Sequence, residues 1–494
     1  MARRRIRVLT RQGELIRAGF ARARAELGVA ESFPPAVLAA ARSVATRAPI
    51  RESVVSRIDA TDIDFVTIDP VGSKDLDQAL HIESRGAGYR VHYAIADVAF
   101  FVDPGSAIDV EAHARGVTLY CPDERIPLHP TVLSEGAASL LPEQHRPAVL
   151  WTMDLDARGE LVSTHVQRAW VRSRSQWAYD QVQRHLDGAS RLDDQPVDHS
   201  AAAVFALLKT VGALRVDREQ ERGGVDLPTP EQVVEEDGPG FRLVFRAPEP
   251  VEAWNAQMSL LTGMAAADLM LDHKVGILRT MPPPAAEELD RVRRTAAALG
   301  VDWPTEFSYA ELMRGLDAHT PSHAAFLTLA TVLLRGAGYT AFDARDGDDM
   351  PSVTTHSAVA APYSHVTAPL RRLVDRYATE VCLALCAGTN IPKWALDALP
   401  KLPAEMAAAD RRDGALERAS VDLVEAVLLS HRVGQSFRAM VVEQRNSHSV
   451  VQLTDPAVRA DAFGDLPLGQ AVFVRLVEAD PDRRVVRFEP AALP

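Results

Sequence analysis

The order of hydrophobic patterns along the chain constrains the fold more than any other sequence feature. Apolar and polar residues alternate within 63–102, helical spacing dominates 176–429, and short strand-like runs return in 434–494. Alternation indicates half-buried strands, whereas an apolar residue roughly every three to four positions indicates one face of a helix. We therefore expect an α+β fold, and the length of 494 residues predicts more than one domain.

Individual elements follow from the same patterns. The segment IDFVTID predicts a strand that ends at Asp69, and residues 79–102 predict a hairpin with a long second arm. Helices are predicted at 8–27, 34–48, 176–187, 200–222, 251–272, 285–299, 322–337, 369–387 and 403–429. Segments rich in Gly and Pro predict loops at 222–230, 237–250 and 281–284. Residues 434–494 predict a five-stranded barrel of the OB type.

Composition excludes several classes of protein. Hydrophobic residues make up 47% and charged residues 24% of the chain, which excludes a disordered, collagen-like or disulfide-scaffold protein. Three cysteines without a CxxC pair are typical of a reducing cytosol, so we expect a cytoplasmic protein. The charged first twenty residues predict no signal peptide, and no 18-residue apolar run predicts a transmembrane helix.

The charge is distributed unevenly. The net charge of -13 argues against a protein whose whole surface binds nucleic acid. Residues 1–51, however, contain eleven Arg and three Glu and so carry +8. This basic head, with its two predicted helices, fits either a merely soluble N-terminus or a helix-turn-helix-like module that contacts nucleic acid.

Three aspartates follow the first predicted strand within nine residues. Asp69, Asp75 and Asp77 are separated by a short loop that contains Gly72 and Ser73. Mg²⁺ prefers such carboxylate oxygens, and two such ions can activate a water and stabilise the leaving oxygen of a phosphodiester. The alternative is an acidic surface loop whose aspartates cap helices.

Four sequence blocks resemble one known family. They are TIDPVGSKDLDQA, HYAIADVAFFVDPGSAIDVEAHARGVTLY, IPLHPTVLSEGAASLLP and YSHVTAPLRRLVDRY. These blocks resemble the RNB catalytic domain of the ribonuclease II and ribonuclease R family, and 434–494 resembles its closing S1 domain. The resemblance implies a hydrolytic 3′→5′ exoribonuclease that releases 5′-mononucleotides. It also implies three domains, namely a small basic helical domain at 1–56, an RNB domain at 57–430 and an S1 domain at 431–494.

The resemblance implies a two-metal site for Mg²⁺, with Mn²⁺ as a possible substitute. Asp69, Asp75 and Asp77 match three of the four aspartates of the family's metal site. Gln78 stands at the fourth position, where its carbonyl oxygen would be a weaker ligand without charge. We expect a working site with an altered ligand set.

Further residues match the family's catalytic and RNA-binding positions. Arg371 matches the arginine near the scissile phosphate, and Arg372 is predicted to contact the RNA backbone. Glu252 matches a glutamate of the catalytic cavity, but it equally fits an ordinary carboxylate at a helix start. Tyr120 and Tyr179 match aromatics that stack on the terminal bases; the alternative is a pair of core tyrosines with bonded hydroxyls.

Some positions depart from the family pattern. The second aromatic that clamps the bases falls near Val225–Leu227, where this chain has no ring, and Ser259 stands where the family usually has Asn. His356 and His365 are interpreted as structural or RNA-contacting residues rather than general bases.

The expected partner is RNA with a single-stranded 3′ end. We expect the protein to be a monomer and to bind no membrane. From the length of the head we expect no pair of cold-shock barrels of the kind that precede the core in long bacterial relatives. The basic residues of the head could add a nucleic-acid contact. Two alternatives stay open. Gln78 and the missing ring favour a non-catalytic RNA-binding regulator, and the basic head alone favours a DNA-binding protein with a vestigial nuclease core.

Overall fold

The computed structural model describes residues 10–47, 57–188, 191–192, 195–225, 231–237, 240–246, 248–316, 320–445, 447–453 and 455–492. Its helices, α1 to α12 in chain order, are Thr10–Glu26, Pro35–Arg47, Ala107–Arg115, Tyr179–Leu186, His199–Arg222, Pro250–Asp272, Ala286–Ala298, Tyr309–Arg314, Pro321–Ala330, Leu373–Ala387, Lys393–Ala398 and Leu402–Leu429. Its strands, β1 to β21, are Ile58–Asp59, Phe65–Asp69, Gln78–Arg85, Gly88–Ala96, Leu119–Tyr120, Arg125–Ile126, His145–Leu155, Leu161–Ala178, Arg191–Leu192, Gln195–Pro196, Glu231–Asp237, Gly240–Arg246, Val275–Thr280, Gly338–Asp343, Thr355–His356, Ala361–Pro362, Ser436–Arg445, His448–Gln452, Arg459–Phe463, Ala471–Asp480 and Val485–Pro490.

The main sheet has the strand order β1-β8-β2-β3-β4-β7, and β8 also pairs with β7. Strand β8 is 18 residues long. Its first part runs antiparallel to β7, and its last part runs parallel to β2. The pairings of β2, β3, β4, β7 and β8 therefore form a closed ring, and the C-terminal end of β2 meets the beginning of β3.

Alternation along the strands separates two hydrophobic cores. On β4, Val91, Tyr93 and Ile95 belong to a large core shared with α5, α6 and α10, whereas Ala94 and Ala96 face a second core. This is the period of two that a strand with both faces buried requires. The predicted α+β class and the predicted hairpin are confirmed.

Several predicted bounds were wrong. Strand β8 continues to Ala178, so the helix predicted at 176–187 begins only at Tyr179. The second arm of the hairpin ends at Ala96, because Asp97 begins a turn that leads into the short 3-10 helix Val98–Phe100. Strand β12 occupies half of the loop predicted at 237–250, because it pairs with β11 along its whole length.

Helix α5 is the one described helix that is long and apolar enough to cross a membrane by length and composition. Its Phe205, Leu208 and Val211 are fully buried in the large core, next to α6. Arg215 of the same helix is also buried and donates to the carbonyl of Gly159 at 2.7 Å. These contacts are those of a core helix.

The C-terminal strands form a closed barrel in the order β17-β18-β19-β21-β20, which confirms the predicted five-stranded barrel. Its core includes Val441, Val451, Val474 and Phe488. Helix α12 leads into the barrel and also packs against it.

The two predicted helices of the basic head are present, and each packs against a different part of the body. Ile16 and Phe20 of α1 are fully buried in a cluster with Val424 and Val427 of α12. Val37 and Ala41 of α2 instead belong to the second core of the sheet. The apolar faces of both helices are therefore continuous with the body.

A buried ion pair beside the sheet gives a first prediction. Asp97 is 2% exposed and contacts Arg57 at 2.6 Å and Arg168 at 2.5 Å. Burial alone would raise the pKa of Asp97, but the two guanidiniums outweigh burial and hold this pKa below its ordinary value. Removal of the carboxylate would leave two cations without their shared partner.

We expect Asp97→Asn to lower the free energy of unfolding by about 3–5 kcal/mol at neutral pH. Because the folded-state pKa is depressed, this stability is present above the unfolded pKa of about 4 and is lost as the pH falls through the folded pKa. The difference in the free energy of unfolding between wild type and Asp97→Asn should therefore become smaller at acidic pH. Asp154→Asn, which removes partly exposed ion pairs with Arg85 and Arg90, is the control and should change stability by about 0–1 kcal/mol.

Candidate active site

The aspartate loop is held between β2 and β3 by its buried leucine. Leu76 is fully buried, its N–H donates to Ser139 Oγ at 2.9 Å, and its carbonyl accepts from Leu140 N at 3.0 Å. Gly72 has a φ of 83°, a left-handed conformation that favours glycine at this turn. With Leu76 directed inward, Asp75 and Asp77 project to the other side of the loop.

Asp77 is the most enclosed carboxylate of the loop. It is 5% exposed, and its Oδ1 accepts from the backbone N–H of Leu370 at 2.7 Å. Its Oδ2 lies 3.6 Å from Nε of Arg371. Burial raises the pKa of Asp77 well above its ordinary value, although Arg371 and the Leu370 N–H oppose this. The site therefore holds a carboxylate whose charge needs more compensation than these contacts provide.

The negative charge of Asp69 is also incompletely compensated. Its Oδ2 is buried and has no hydrogen-bond partner among the described residues. Burial raises the pKa of Asp69 to about 7; Arg371 lowers it and Asp75 raises it. A buried carboxylate oxygen without a donor is costly, so it marks a place where a cation or donor would be stabilised.

Asp75 is bound by a residue that sequence reasoning missed. Arg125 donates to Asp75 Oδ1 with one nitrogen and to Glu135 with another. The hydroxyl of Tyr120 lies 3.5 Å from the second oxygen of Asp75. In the part of the chain that the structure describes, no three His, Cys, Asp or Glu side chains are grouped to hold a metal ion as they stand. A cation that used Asp75 would have to compete with Arg125.

The donor set nevertheless fits a hard divalent cation. Asp69 offers an oxygen without a hydrogen-bond partner among the described residues, and Asp75 lies close enough to raise the pKa of both Asp69 and Asp77. Mg²⁺ and Mn²⁺ both bind carboxylate oxygens and retain waters. These three aspartates are the residues that would hold such an ion.

Gln78 is committed to two hydrogen bonds. Its Nε2 donates to the carbonyl of Thr367 at 2.8 Å, and its Oε1 accepts from the buried hydroxyl of Tyr93. That hydroxyl lies 3.0 Å from Ser259 Oγ. Gln78 therefore joins β3 to the segment before Arg371, and a metal could use only the remaining lone pair of its oxygen. Its role as a metal ligand stays a prediction.

The two adjacent arginines have different surroundings. The Arg371 side chain is 45% exposed, and its charge lowers the pKa of Asp69 and opposes the rise at Asp77. Arg372 instead forms a two-bond ion pair with the fully buried Asp375, at 2.9 and 2.8 Å. Arg371 is thus available to a ligand at the carboxylates, whereas Arg372 stabilises the turn before α10. The predicted RNA contact of Arg372 stays a prediction.

Glu252 lies in the first turn of α6 and caps the start of this helix. Its Oε1 accepts from the backbone N–H of Glu249 at 2.9 Å, and Arg246 contacts both of its oxygens at 2.8 and 3.1 Å. These contacts are those of a helix-start carboxylate, which was the alternative interpretation. Its charge still raises the pKa of Tyr179, so it lies within electrostatic reach of the site, and its predicted catalytic role is untested.

The two predicted aromatics lie at the carboxylates. Tyr179 begins α4, directly after the end of β8, and its hydroxyl accepts from Asn255 Nδ2 at 3.3 Å. Burial raises the pKa of Tyr179 to about 12, and Asp69 raises it further. Tyr120 is 57% exposed beside Asp75, which is unusual for a core tyrosine. The exposed ring is therefore free to contact a ligand.

The two histidines have structural contacts. His365 Nδ1 lies 2.7 Å from the hydroxyl of Tyr339, and burial lowers the pKa of His365 well below its ordinary value. Burial also lowers the pKa of His356 to about 4. Both side chains are therefore neutral at pH 7, consistent with the structural interpretation. The region of the missing ring is described only up to Val225, so Leu227 lies outside the described residues.

Sequence reasoning missed Arg125, Tyr93 and Asn255. Arg125 has a weak signal, because it follows Tyr120 by five residues in a short segment with a Pro-Asp turn. Tyr93 was interpreted as part of a strand face, and its hydroxyl contact with Gln78 depends on a neighbouring strand. Asn255 lies one helical turn after Glu252, but nothing in the sequence shows that it meets Tyr179.

Gly263 of α6 gives a second prediction. Its carbonyl accepts from Ser364 N at 3.0 Å, and a Cβ at this position would collide with the Tyr363 ring and lie 2.5 Å from the Ser364 carbonyl oxygen. Backbone cannot move aside as cheaply as a side chain. We expect Gly263→Ala to lower the free energy of unfolding by about 1–3 kcal/mol. Gly338→Ala, which meets nothing within 4 Å, should change little and is the matched control.

The fold and the site define a protein of two main parts, an α+β domain with a carboxylate site and a barrel of the OB type. The family model of the RNB domain matches residues 57–385. The model of the RNase II-type exonuclease C-terminal S1 domain matches residues 435–491. The chain belongs to the RNB family and ends in an S1 domain, which confirms the resemblance drawn from its sequence blocks.

Named relatives agree with this assignment. Ribonuclease R of Mycoplasma genitalium is 29% identical over 330 residues, which are 65% of this chain and 44% of that protein. Ribonuclease R of Escherichia coli is 26% identical over 435 residues, which are 82% of this chain and 51% of that protein. The chain thus spans about half the length of the curated relatives it matches.

Solved structures show the same fold. The structure of M. genitalium RNase R in complex with ribose-methylated single-stranded RNA has a TM-score of 0.85 at 20% identity, covering 96% of this chain and 78% of that chain. Yeast Ssd1, whose structure is described as that of a pseudonuclease, has a TM-score of 0.67 at 18% identity, covering 86% and 52%. Proteins with and without nuclease character therefore share this architecture.

Proposed function

We propose that this protein is a metal-dependent exoribonuclease that hydrolyses RNA from its 3′ end and releases 5′-mononucleotides. The observation that carries the proposal is the set of carboxylates Asp69, Asp75 and Asp77 beside the exposed guanidinium of Arg371. The RNB and S1 family matches and the RNA-bound ribonuclease R structure support the direction and the substrate.

Divalent metal ions, Mg²⁺ with Mn²⁺ as a substitute, would be held by Asp69, Asp75 and Asp77, with Gln78 as a further weak oxygen donor. When bound, they would activate a water and stabilise the charge of the scissile phosphate in a two-metal arrangement. Bound cations would also supply the compensation that the unpartnered oxygen of Asp69 lacks.

The chain's own residues perform the positioning. The Leu370 N–H fixes Asp77, so that the carboxylate keeps one orientation beside Arg371. The planar guanidinium of Arg371 suits two phosphate oxygens and would stabilise the negative charge that develops on them. Tyr120 beside Asp75 and Tyr179 near Asp69 offer rings at the carboxylates, and rings stack on any base without sequence preference.

The proposal is tested by a product ladder. The purified protein is incubated with single-stranded RNA labelled at its 5′ end or at its 3′ end, and with a duplex that has a blunt 3′ end, with and without Mg²⁺. The 5′ label shows the shortened strands, and the 3′ label shows the released nucleotides. We expect stepwise shortening of the single strand from its 3′ end and release of 5′-mononucleotides only when Mg²⁺ or Mn²⁺ is present. Internal fragments, or no product under any condition, would contradict the proposal.

A second candidate is a non-catalytic RNA-binding protein. It is favoured by Gln78, whose amide is already bonded on both sides, and by Arg125, which neutralises Asp75. The fold shared with the pseudonuclease Ssd1 is compatible with it. Retained RNA binding without mononucleotide release, over a long incubation with Mg²⁺, would favour this candidate over the first.

The remaining expectations belong to the same proposal. We propose a cytoplasmic protein that acts as a monomer on single-stranded 3′ ends. The extra nucleic-acid contact of the head stays a proposal as well. Within its described part, Arg22 and Arg24 pair with Asp482 and Asp123 of the body, so these two charges are used within the protein. That reduces the support for a DNA-binding head.

A further inference from the structure

Helix α1 lies against the hairpin that carries two residues of the site. This hairpin consists of β5, a four-residue turn at 121–124, and β6. Tyr120 is its exposed ring, and Arg125 binds Asp75 and Glu135. A two-residue ladder is too short to be stable alone. The position of both side chains therefore depends on what the hairpin packs against.

The contact with α1 is both apolar and ionic. Ala23 of α1 is fully buried in a small cluster with Leu119 and Ile126 of the hairpin and Leu416 of α12. One residue further, Arg24 is 4% exposed although it carries a charge. Its Nη1 donates to Asp123 of the hairpin turn at 2.8 Å.

Arg24 also holds the segment that follows α1. Its Nε donates to Glu31 at 2.6 Å and lies 3.5 Å from Glu124 of the turn. Its carbonyl accepts from Val29 N at 2.9 Å, so the end of α1 is tied to the loop that follows. A buried guanidinium with three carboxylate neighbours is a fixed connection rather than a surface charge.

The rest of α1 is anchored to elements other than the hairpin. Phe20 packs on Phe241 with ring centroids 5.3 Å apart, and Gly19 allows α1 to approach Leu423 of α12 closely. On the barrel side, Glu26 pairs with Arg484 at 2.7 Å. The helix thus connects the S1 barrel and α12 to the hairpin at the carboxylates.

We propose that α1 acts as a brace and that Arg24 is a positioning residue, which holds the hairpin of residues 119–126 so that Tyr120 and Arg125 stay at Asp75. The basic head would then contribute to RNA turnover through this contact, whether or not its other residues touch RNA. The part that concerns RNA rests on the proposed function. The brace itself is a property of the free protein.

Hydrogen–deuterium exchange of the free protein tests the brace. We compare wild type, Arg24→Gln, Asp123→Asn and Arg22→Gln, after checking by thermal unfolding that each variant is folded. Arg22 is the matched control, because it lies on the same helix and its pair with Asp482 is exposed. We expect faster exchange at 119–126 in Arg24→Gln and Asp123→Asn, with no change in Arg22→Gln. Unchanged exchange in both test variants overturns the proposal.

RNA kinetics test the consequence for the site. With single-stranded RNA and Mg²⁺, Arg24→Gln and Asp123→Asn should raise KM roughly 5- to 100-fold, the range for a lost base stack, while kcat changes little. Arg22→Gln should keep both constants. Faster exchange with unchanged KM overturns the positioning role. If wild type does not hydrolyse RNA, the proposed function fails, and the exchange experiment still decides whether α1 is a brace.

Discussion

Replacement of Asp77 by Asn is expected to abolish RNA hydrolysis while RNA binding survives. Asn keeps the shape of the side chain and can still accept the Leu370 N–H, but it removes the charge from the most enclosed carboxylate of the site. A neutral amide would hold a divalent cation poorly. We expect the rate to fall on the order of 10⁴-fold, the scale found when one member of a catalytic unit is removed.

The measurement is release of labelled mononucleotide from a 3′-labelled single strand at saturating Mg²⁺, together with RNA affinity by fluorescence anisotropy. Asp62→Asn is the matched control, since Asp62 is exposed in the segment before β2, and it should retain wild-type rates. Hydrolysis by Asp77→Asn at a rate near that of wild type would contradict the assignment of this loop as the catalytic site. Loss of binding together with hydrolysis would indicate that the loop serves mainly to hold RNA.

The second large effect is expected at Arg371. Its exposed guanidinium lies 3.6 Å from Asp77. This cation does most to oppose the rise that burial causes in the pKa of Asp69 and of Asp77. Since a phosphoryl transition state gains negative charge, loss of this cation should reduce kcat more than KM. We expect Arg371→Ala to reduce kcat roughly 10²–10³-fold, as for the loss of one preorganised donor.

Two further variants separate charge from geometry. Arg371→Lys keeps the positive charge but loses the planar fork, so it should recover only part of the rate. Arg411→Ala removes an exposed arginine from α12 and should leave kcat unchanged. An Arg371→Ala protein whose KM rises while kcat stays the same would show that Arg371 binds RNA in the ground state only.

The local pattern of hydrophobic residues was sufficient to predict part of this structure. The alternation before Asp69 and after Gln78 predicted the strands on either side of the aspartate loop, and the resemblance placed Arg371 beside them. Strand β8 was not predicted, because its burial does not alternate regularly where it changes partner from β7 to β2. Because β8 pairs with three strands along its length, no single face of it stays buried, and its sequence lacks the regular alternation that predicts a strand.

The side-chain partners could not be predicted for a similar reason. The two bonds of Gln78 and the contact between Arg125 and Asp75 depend on segments that are far apart in the chain. Nothing local to Glu252 distinguished a catalytic carboxylate from a helix cap. The domain boundaries predicted at residues 56 and 430 also stay predictions. The structure adds that the helices of the head share their cores with the body.

The hydrogen bond between Leu370 and Asp77 also has a consequence for biosynthesis. The two residues are 293 positions apart in the chain. A ribosome makes the aspartate loop first, and the backbone N–H that fixes Asp77 is added only 293 residues later. Contacts of such long range form late and slow the final steps of folding. If the proposed function holds, a nascent chain that stops short of Leu370 has its aspartate loop but lacks the hydrogen bond that fixes Asp77, and we expect it to be inactive.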